Sequence, residues 1–477
     1  MVLSLKLDVL NFKCFVCCRA HRHGATIARL NHSLPIRCTR LTAPRSSVPS
    51  HLNIALQRFV DRYAGVPLCA LVSVIDRWIV QPLRGRREHA RRERILIILL
   101  SEMGSLVLAQ PMFAALRTRY PDASLYVMLF AKNREVLDLM GVVPHENVIA
   151  IDDSALAPFI GSMLAALFRA RRLAIDVVID CELFARVSSL LSYLSGAPLR
   201  VGFHRHTQEG LYRGSFINRP VMYNPYQHLS RQFLALAGSI DSSDYPLAKR
   251  VNATVPIEVP HLAFATGELA KTRGALLAEQ PTIAGRRLVL IYPSGGILPI
   301  RAWPIESYRD LARALVDDGY AVGIIGLASD RDMAADLVRL VDRAHCVNLA
   351  GYTRTVRHLL AIFADAALLV TNDGGPGQFA ALTAIPTIIF FGPETPVLYG
   401  SNSPDAYFFH NALPCSPCLT AYNHRTSPCN GDNQCLKRIA PATVLAKCRA
   451  LLALNRGQII SGRSPVDAHA DQRHDRG

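Results

Sequence analysis

Short blocks of consecutive apolar residues alternate along this chain with longer segments in which apolar residues recur every three or four positions. A continuous apolar block is typical of a strand buried on both faces of a parallel sheet, and the second spacing indicates a helix with one buried side. The strand blocks are Ile95–Leu100, Leu125–Phe130, Val148–Ile151, Ile175–Asp180, Leu199–Phe203, Leu288–Tyr292, Ala321–Ile325, Ala366–Val370 and Thr387–Phe391. The main predicted helices are Leu156–Arg169, Gly267–Glu279, Ile305–Asp317, Arg331–Asp342, Val356–Phe363 and Ala440–Leu454.

This alternation predicts an α/β protein made of two Rossmann-like, doubly wound domains that face each other across a cleft. A chain of 477 residues is too long for one ordinary core, which also favours two domains. The predicted division is an N-terminal extension (1–90), a first domain (91–240), an interdomain region (241–285), a second domain (286–456) and a disordered tail (457–477).

Charge adds information about partners. The formal net charge is +16, and many arginines lie in the first 45 residues and in the run Arg84–Arg94. Such a surface favours anionic partners, whether acidic lipid, nucleic acid or phosphorylated substrates, although a solvated basic linker has the same composition. Nucleic acid is the least favoured partner, because the arginine runs contain no interleaved aromatic residues and belong to no recognised module.

The segment Tyr63–Val80 is predicted to be an amphipathic helix. Its charge-free part, Ala64–Ile75, is too short to span a bilayer, but its apolar residues recur at helical spacing between cationic flanks. The pattern fits a helix in an anionic membrane surface, or one packed on the protein. Lys6, Asp8 and Lys13 interrupt the apolar region that a secretory signal requires, so no such signal is predicted.

Four cysteines near the C-terminus could form a tetrahedral zinc site. They are Cys415, Cys418, Cys429 and Cys435. The number of ligands suits structural zinc, but only the first pair has CxxC spacing. Free thiols, or a loop whose cysteines never meet, are the alternatives.

A glycine-rich turn follows the predicted strand Ala366–Val370. Asp373, Gly374 and Gly375 precede Pro376, which suits a first helical turn, and Gln378 lies within that turn. Amide N–H groups at a helix start can bind phosphate, so a phosphorylated ligand is predicted at the carboxyl edge of this sheet.

A second turn should lie at the same edge. Ser294 and Gly295 follow the strand Leu288–Tyr292, and Arg301 comes shortly after. A guanidinium there is suited to holding a diphosphate and stabilising its charge as it leaves. The alternative interpretation of Arg301 is a surface cation.

In the first domain, Glu102 and Ser105 follow the first strand and should face the crevice. Glu102 is a candidate general base for a substrate hydroxyl. A helix-capping Ser105 beside a solvated Glu102 is the alternative. The absence of G-x-G-x-x-G and of a Walker lysine after this strand disfavours dinucleotide and ATP sites.

Taken together, these motifs resemble glycosyltransferase family 9, the heptosyltransferase-like enzymes of lipopolysaccharide core synthesis. The resemblance covers about 94–454. It is carried by Ile95–Pro111, Ala115–Ala123, Arg301–Pro304, Asn348–Thr353, Asn372–Pro376 and Phe391–Pro396, and by the cysteine-bearing loop Cys415–Cys418.

The resemblance implies a glycosyltransferase B fold, in which the first domain binds a lipid-linked saccharide acceptor and the second a nucleotide diphosphate sugar. It implies inverting transfer without a catalytic cofactor or metal, by a cytoplasmic enzyme that attaches peripherally to the inner membrane. The donor residues would be Ser294, Gly295, Arg301, Asp373, Gly374, Gly375 and Gln378, with Asp330 reaching the nucleoside.

Two positions depart from the family pattern. The family often has an aspartate base where this chain has Ser105, so Glu102 is the predicted substitute. The family's glycine-rich turn usually ends in histidine, where this chain has the uncharged Gln378. A nucleotide-sugar epimerase of the same fold, and an inactive sugar- or lipid-binding homologue, are the alternative functions.

Overall fold

The computed structural model describes residues 61, 63–84, 91–100, 102–183, 185–204, 212–241, 257, 259–296, 298–420, 427, 429 and 431–461. The predicted N-terminal extension up to residue 60 and the tail beyond residue 461 lie outside these ranges. Residues 50–477 form one compact unit.

Two parallel six-stranded sheets organise this unit, which confirms the predicted fold class. The strands of the first sheet are β1 Arg94–Ile98, β2 Ser124–Phe130, β3 Val148–Ile151, β4 Val177–Asp180, β5 Leu199–His204 and β6 Arg219–Met222. Those of the second are β7 Leu288–Tyr292, β8 Ala321–Gly326, β9 Cys346–Ala350, β10 Leu368–Asn372, β11 Thr387–Phe391 and β12 Ala406–His410. We call the parts built on them the N-terminal lobe and the C-terminal lobe.

Both sheets have the same strand order. The first runs β3-β2-β1-β4-β5-β6 and the second β12-β11-β10-β7-β8-β9. In each sheet, successive strands are added on one side of the first strand and then on the other. A crevice therefore opens where this direction reverses, at the carboxyl ends of β1 and β4 in the first sheet and of β7 and β10 in the second. These are the edges at which the predicted site residues lie.

Helices cover both faces of each sheet. In chain order they are α1 Gly65–Ile75, α2 Gln81–Arg84, α3 Met103–Arg119, α4 Arg134–Met140, α5 Leu156–Arg172, α6 Arg186–Leu194, α7 Leu229–Gly238, α8 Glu268–Glu279, α9 Ile305–Asp317, α10 Arg331–Val341, α11 Val356–Asp365, α12 Gly375–Phe379, α13 Pro396–Tyr399, α14 Gln434–Lys437 and α15 Pro441–Ser461. A π-helical turn, Asp76–Val80, joins α1 to α2.

One helix boundary differs from the sequence prediction. The last helix continues to Ser461 rather than ending at Leu454, so the first residues of the predicted disordered tail are helical.

The two lobes share one apolar core and are joined by polar contacts. Buried apolar side chains form a continuous cluster from one face of the first sheet to one face of the second. Across the lobes, Glu135 accepts a hydrogen bond from the backbone of Arg357 at 3.1 Å. The His228 ring meets the Gly400 carbonyl at 2.9 Å.

Candidate functional site

Asn372, the last residue of β10, holds the C-terminal crevice together. Its side-chain oxygen accepts hydrogen bonds from the Trp303 backbone at 2.9 Å and the Tyr308 hydroxyl at 2.8 Å. Its side-chain nitrogen donates to the carbonyls of Pro293 at 3.0 Å and Ser294 at 3.1 Å. Each polar atom thus makes two bonds, the number such an amide can form. Asn372 therefore fixes the loop after β7 and the start of α9 against β10.

Trp303 supports the same loop through contacts with Phe390 and Ile439. Its ring is buried and stacks on Phe390 with centroids 4.6 Å apart, and its indole N–H donates to the Ile439 carbonyl at 3.1 Å. Burial raises the pKa of Tyr308 well above its usual value, so its hydroxyl stays protonated as the donor to Asn372. These contacts hold the loop after β7 in place, and they were not predicted from the sequence.

Arg301 lies beside the Asp373 turn, and a second carboxylate joins them. Arg301 Nη2 is 2.9 Å from Glu394 Oε1, and Arg301 Nε is 3.7 Å from Asp373 Oδ2. All three side chains are largely buried, with 13% of Arg301 exposed. Two carboxylates facing one guanidinium leave a local charge of about −1, which opposes an anion at the buried side of the cluster. Only the exposed part of the guanidinium is suited to a phosphate.

The glycine turn opens toward solvent rather than bending through a left-handed backbone. Gly374 is extended, with φ 167°, and no atom lies within 4 Å of the place a Cβ would occupy. Gly375 begins α12, which has only five residues and so a small dipole. The missing side chain at Gly374 thus leaves space for a ligand to approach the backbone closely.

The other predicted donor residues form a neighbouring pair. Ser294 donates its hydroxyl hydrogen to Asp330 at 3.0 Å, and Asp330 also accepts from the Leu327 amide at 2.8 Å. A Cβ on Gly295 would lie 2.7 Å from the Leu298 carbonyl oxygen, so only glycine fits there. The loops after β7 and β8 are thereby tied together at the crevice.

In the N-terminal lobe, Glu102 and Ser105 occupy the first turn after β1. Glu102 is half-buried at the N-cap of α3, where its carbonyl accepts from the Ser105 amide at 3.1 Å. Ser105 lies three residues into the helix and so is not the capping residue. Both are at the crevice of the first sheet.

The two crevices meet at Gly104 and Gln378. A Cβ on Gly104 would be 3.1 Å from Gln378 Cγ, so the first turn of α3 packs directly on α12. Gln378 donates through Nε2 to the Tyr399 carbonyl at 2.7 Å, while its buried Oε1 has no hydrogen-bond partner in the described part of the chain. Gln378 thus lies between the lobes, and the predicted acceptor and donor residues share one region.

A fully buried ion pair stabilises the other side of the N-terminal crevice. Asp180 ends β4 and pairs with Arg213, whose guanidinium also donates to the carbonyls of Glu182 and Phe203, both at 2.9 Å. Ser188 donates to Asp180 at 3.1 Å. Burial raises the pKa of Asp180 to about 6, although Arg213 opposes the shift. Neither residue was predicted to belong to the site, because no local sequence pattern indicates a contact between residues that are 33 positions apart.

The predicted zinc site is not formed. All four cysteines are among the described residues, and no three His, Cys, Asp or Glu side chains there are grouped closely enough to hold a metal ion. Cys435 is buried against Gly392, whereas Cys415 and Cys429 are exposed, with Cys429 next to Asn433. Ser427 lies between two of the cysteines, since its hydroxyl is 3.1 Å from Cys418 Sγ and accepts from the Cys429 amide at 3.0 Å.

Comparisons with known proteins identify the sequences that this chain resembles. The family model "Glycosyltransferase family 9 (heptosyltransferase)" matches residues 165–427, more than half of the chain. Lipopolysaccharide heptosyltransferase 2 of Escherichia coli is 27% identical over 366 residues, covering 75% of this chain and 98% of that protein.

Two solved structures share the fold. Heptosyltransferase II of Escherichia coli superimposes with a TM-score of 0.59 at 24% identity, covering 76% of this chain and 99% of that one. A second heptosyltransferase of Escherichia coli, solved with ADP, has a TM-score of 0.54 at 17% identity and covers 75% and 99%.

Proposed function

Because the chain belongs to glycosyltransferase family 9, the heptosyltransferase family, we propose that it transfers a heptose or a related sugar from a nucleotide diphosphate donor to a lipid-linked saccharide of the lipopolysaccharide core. The observation that carries the proposal is the contact between Gly104 and Gln378, which brings the two crevices together. A donor in one and an acceptor in the other would then be close enough to react.

The donor is assigned to the C-terminal crevice. The open surface at Gly374 and the amide of Gly375 would receive the diphosphate, with the exposed edge of Arg301 beside it. Asp373 and Gln378 position this turn. Ser294, Gly295 and Asp330 would line the neighbouring nucleoside side. The relative solved with ADP favours an adenine nucleotide as the leaving group.

The acceptor is assigned to the N-terminal crevice, with Glu102 as the general base. Its carboxylate would take the proton of an acceptor hydroxyl, whose oxygen then bonds to the anomeric carbon as the bond to the diphosphate breaks. Such in-line attack inverts the anomeric centre. Ser105 cannot serve as a base unaided, but its hydroxyl can orient the acceptor. We expect Arg301 and the turn amides, rather than a metal, to stabilise the departing diphosphate.

Transfer should be tested with the full chain, ADP-heptose and lipopolysaccharide that lacks the second core heptose. Mass spectrometry should show one added heptose per acceptor, and chelation of divalent cations should leave the rate unchanged. Release of free sugar or an epimer in the absence of acceptor would instead indicate an epimerase. Donor binding without any product would indicate the inactive homologue.

A further inference from the structure

Helix α1 and the π-helical turn after it are oriented with their large apolar side chains toward solvent. Residues with small or polar side chains face the protein: Gly65, Cys69, Ser73 and Asp76. Residues with large apolar side chains are exposed: Leu68, Leu71, Val74, Ile75, Trp78 and Ile79. Trp78 is 72% exposed. A helix packed only for stability in water has the opposite orientation.

Specific contacts fix this orientation. Ser73 accepts a hydrogen bond from the Ser215 amide at 2.9 Å and shares one with the Tyr212 hydroxyl at 3.1 Å. A Cβ on Gly65 would lie 2.7 Å from Arg186 Cβ, so this end of the helix fits against α6 only through glycine. Rotating the helix to bury its apolar side would break these contacts.

Helix α5 has a second exposed apolar stripe. Its members recur every four residues, which places them on one side of the helix: Leu156, Ile160, Leu164 and Phe168. Its inward side contains the fully buried Ala166 and Ala170, together with Phe159, Met163 and Leu167, which are partly buried against the same cluster. Phe168 is 69% exposed, more than any member of the α1 group except Trp78.

Both stripes lie on the same side of the N-terminal lobe. Helices α5 and α6 cover one face of the first sheet, where Ala166, Ala170 and Leu191 share a buried cluster. Helix α1 packs next to α6, with Cys69 in contact with a small cluster that includes Leu190. We call the exposed apolar residues of α1, its π-helical turn and α5 the outer face.

Cations accompany the outer face. Arg77 is exposed beside Trp78, and three exposed arginines end α5: Arg169, Arg171 and Arg172. The run Arg84–Arg94, which follows α1 and α2 in the chain, contains six arginines and two glutamates. A large apolar surface with a cationic rim complements an anionic lipid headgroup layer.

We propose that the outer face docks on an anionic lipid bilayer, with its apolar side chains at the boundary of headgroups and acyl chains. The described residues contain no helix long and apolar enough to cross a membrane. Helix α5 begins just after β3, and Gly65 contacts Arg186, the first residue of α6 after β4. Both stripes therefore reach the edge of the sheet that holds Glu102, where a lipid-anchored acceptor would enter. The entry of the acceptor near Glu102 rests on the proposed function, whereas the proposed lipid binding does not.

Other partners for the outer face are less compatible with its cationic rim. Residues 1–60 contain nine Lys and Arg and one Asp, so their net charge of about +8 has the same sign as the arginine rim. A second copy would bring the same arginines together. An anionic bilayer is the occupant whose charge is opposite.

Vesicle co-sedimentation of the full chain, without nucleotide sugar, tests the proposal separately from catalysis. We expect binding to phosphatidylcholine vesicles that contain phosphatidylglycerol, and weaker binding to phosphatidylcholine alone or at high salt. The double variants Leu71→Ser/Trp78→Ser and Leu164→Ser/Phe168→Ser should each reduce the partition coefficient at least about tenfold. The matched control Leu340→Ser/Leu454→Ser, which removes two exposed leucines from the C-terminal lobe, should bind normally.

Three results would overturn the proposal. The first is failure of the unmodified chain to bind vesicles, which would mean that its own segments or a second copy cover the face. The second is normal vesicle binding by both double variants. The third is a wild-type dimer in sedimentation velocity that either double variant converts to a monomer, which would identify the face as a contact between copies.

Discussion

Arg301 and Glu394 form a largely buried ion pair at the carboxyl edge of the second sheet, with Nη2 and Oε1 2.9 Å apart. Replacing Arg301 by Met should leave the carboxylates of Glu394 and Asp373 without their shared cation. Loss of one partner from a buried pair costs about 3–5 kcal/mol, because the remaining charge is uncompensated. We expect calorimetry to show a lower melting temperature for Arg301→Met.

The pair can be tested with a double-mutant cycle. Adding Glu394→Gln to Arg301→Met removes one of the two uncompensated carboxylate charges and should restore part of the lost melting temperature. If the two effects simply add, the residues do not interact energetically and the described ion pair is not significant for stability. Nucleotide diphosphate binding should remain weakened in both Arg301 variants.

Glu102→Gln should lower kcat/KM about a hundredfold or more while leaving donor affinity unchanged, because it removes the proposed base without changing its shape. Steady-state kinetics and calorimetric donor titration measure the two effects. Glu146→Gln, at an exposed carboxylate before β3, is the control. Normal turnover by Glu102→Gln would show that the base is another group.

Ser105→Asp should restore activity to the Glu102→Gln variant. It introduces a carboxylate in the first turn of α3, where the helix dipole also favours negative charge. We expect a gain of about tenfold in kcat/KM over Glu102→Gln. No gain, with the variant folded by circular dichroism, would mean that Ser105 does not face the acceptor hydroxyl.

Asn372→Leu should lower the stability of the C-terminal lobe more than a substitution that removes any one of the hydrogen-bond partners of Asn372. Four buried polar groups would lose their partner, at about 1–3 kcal/mol each before relaxation. Tyr308→Phe removes one of these bonds and should cost about 1 kcal/mol. Similar melting temperatures for the two variants would contradict the organising role of Asn372.

His228 should make the contact between the lobes sensitive to acid. Its Nε2 lies 2.9 Å from the Gly400 carbonyl and its Nδ1 accepts from the Ser230 amide at 3.3 Å, which requires a neutral ring. Burial lowers the pKa of His228 below its usual 6.5. Above pH 6.5 the folded and unfolded chains are both neutral there; as the pH falls toward the folded-state pKa, the unfolded chain binds the proton more readily and stability is lost.

The measurement is the melting temperature as a function of pH for wild type and His228→Gln. Glutamine can still donate to Gly400 but does not titrate. The variant should therefore lose less stability than wild type below pH 6.5. Parallel curves would exclude His228 as the source of the acid sensitivity.

The central strands were predictable because each is buried on both faces and so is continuously apolar. The edge strand β3 was predicted as well, but the other three edge strands were not: β6 contains Pro220, β9 contains Asn348, and β12 is half-exposed. At the site, strand topology alone places Arg301 near Asp373, since parallel strands end at the same edge. The roles of Asn372 and Glu394 depend on partners far away in the sequence, which no local pattern indicates.

The orientation of α1 illustrates the same limit. Helical spacing identified its apolar stripe, but not which side faces the protein, because Gly65 and Ser73 gain their contacts only from α6 and the 212–215 segment. The described residues do not show the predicted zinc site, because the spacing of cysteines in the sequence does not determine the path of the backbone between them.

The repeated strand order has a consequence for how this enzyme family can diversify. In each half of the molecule, the loops that follow the strands lie at one edge of the sheet, and these two edges contact each other at Gly104 and Gln378. With the donor and the acceptor in separate halves, as proposed above, a change in the loops of one half would alter the choice of one reactant and leave the loops that bind the other unchanged. Because the two halves share one apolar core, exchanging whole halves between homologues would also require matched core residues where the halves meet.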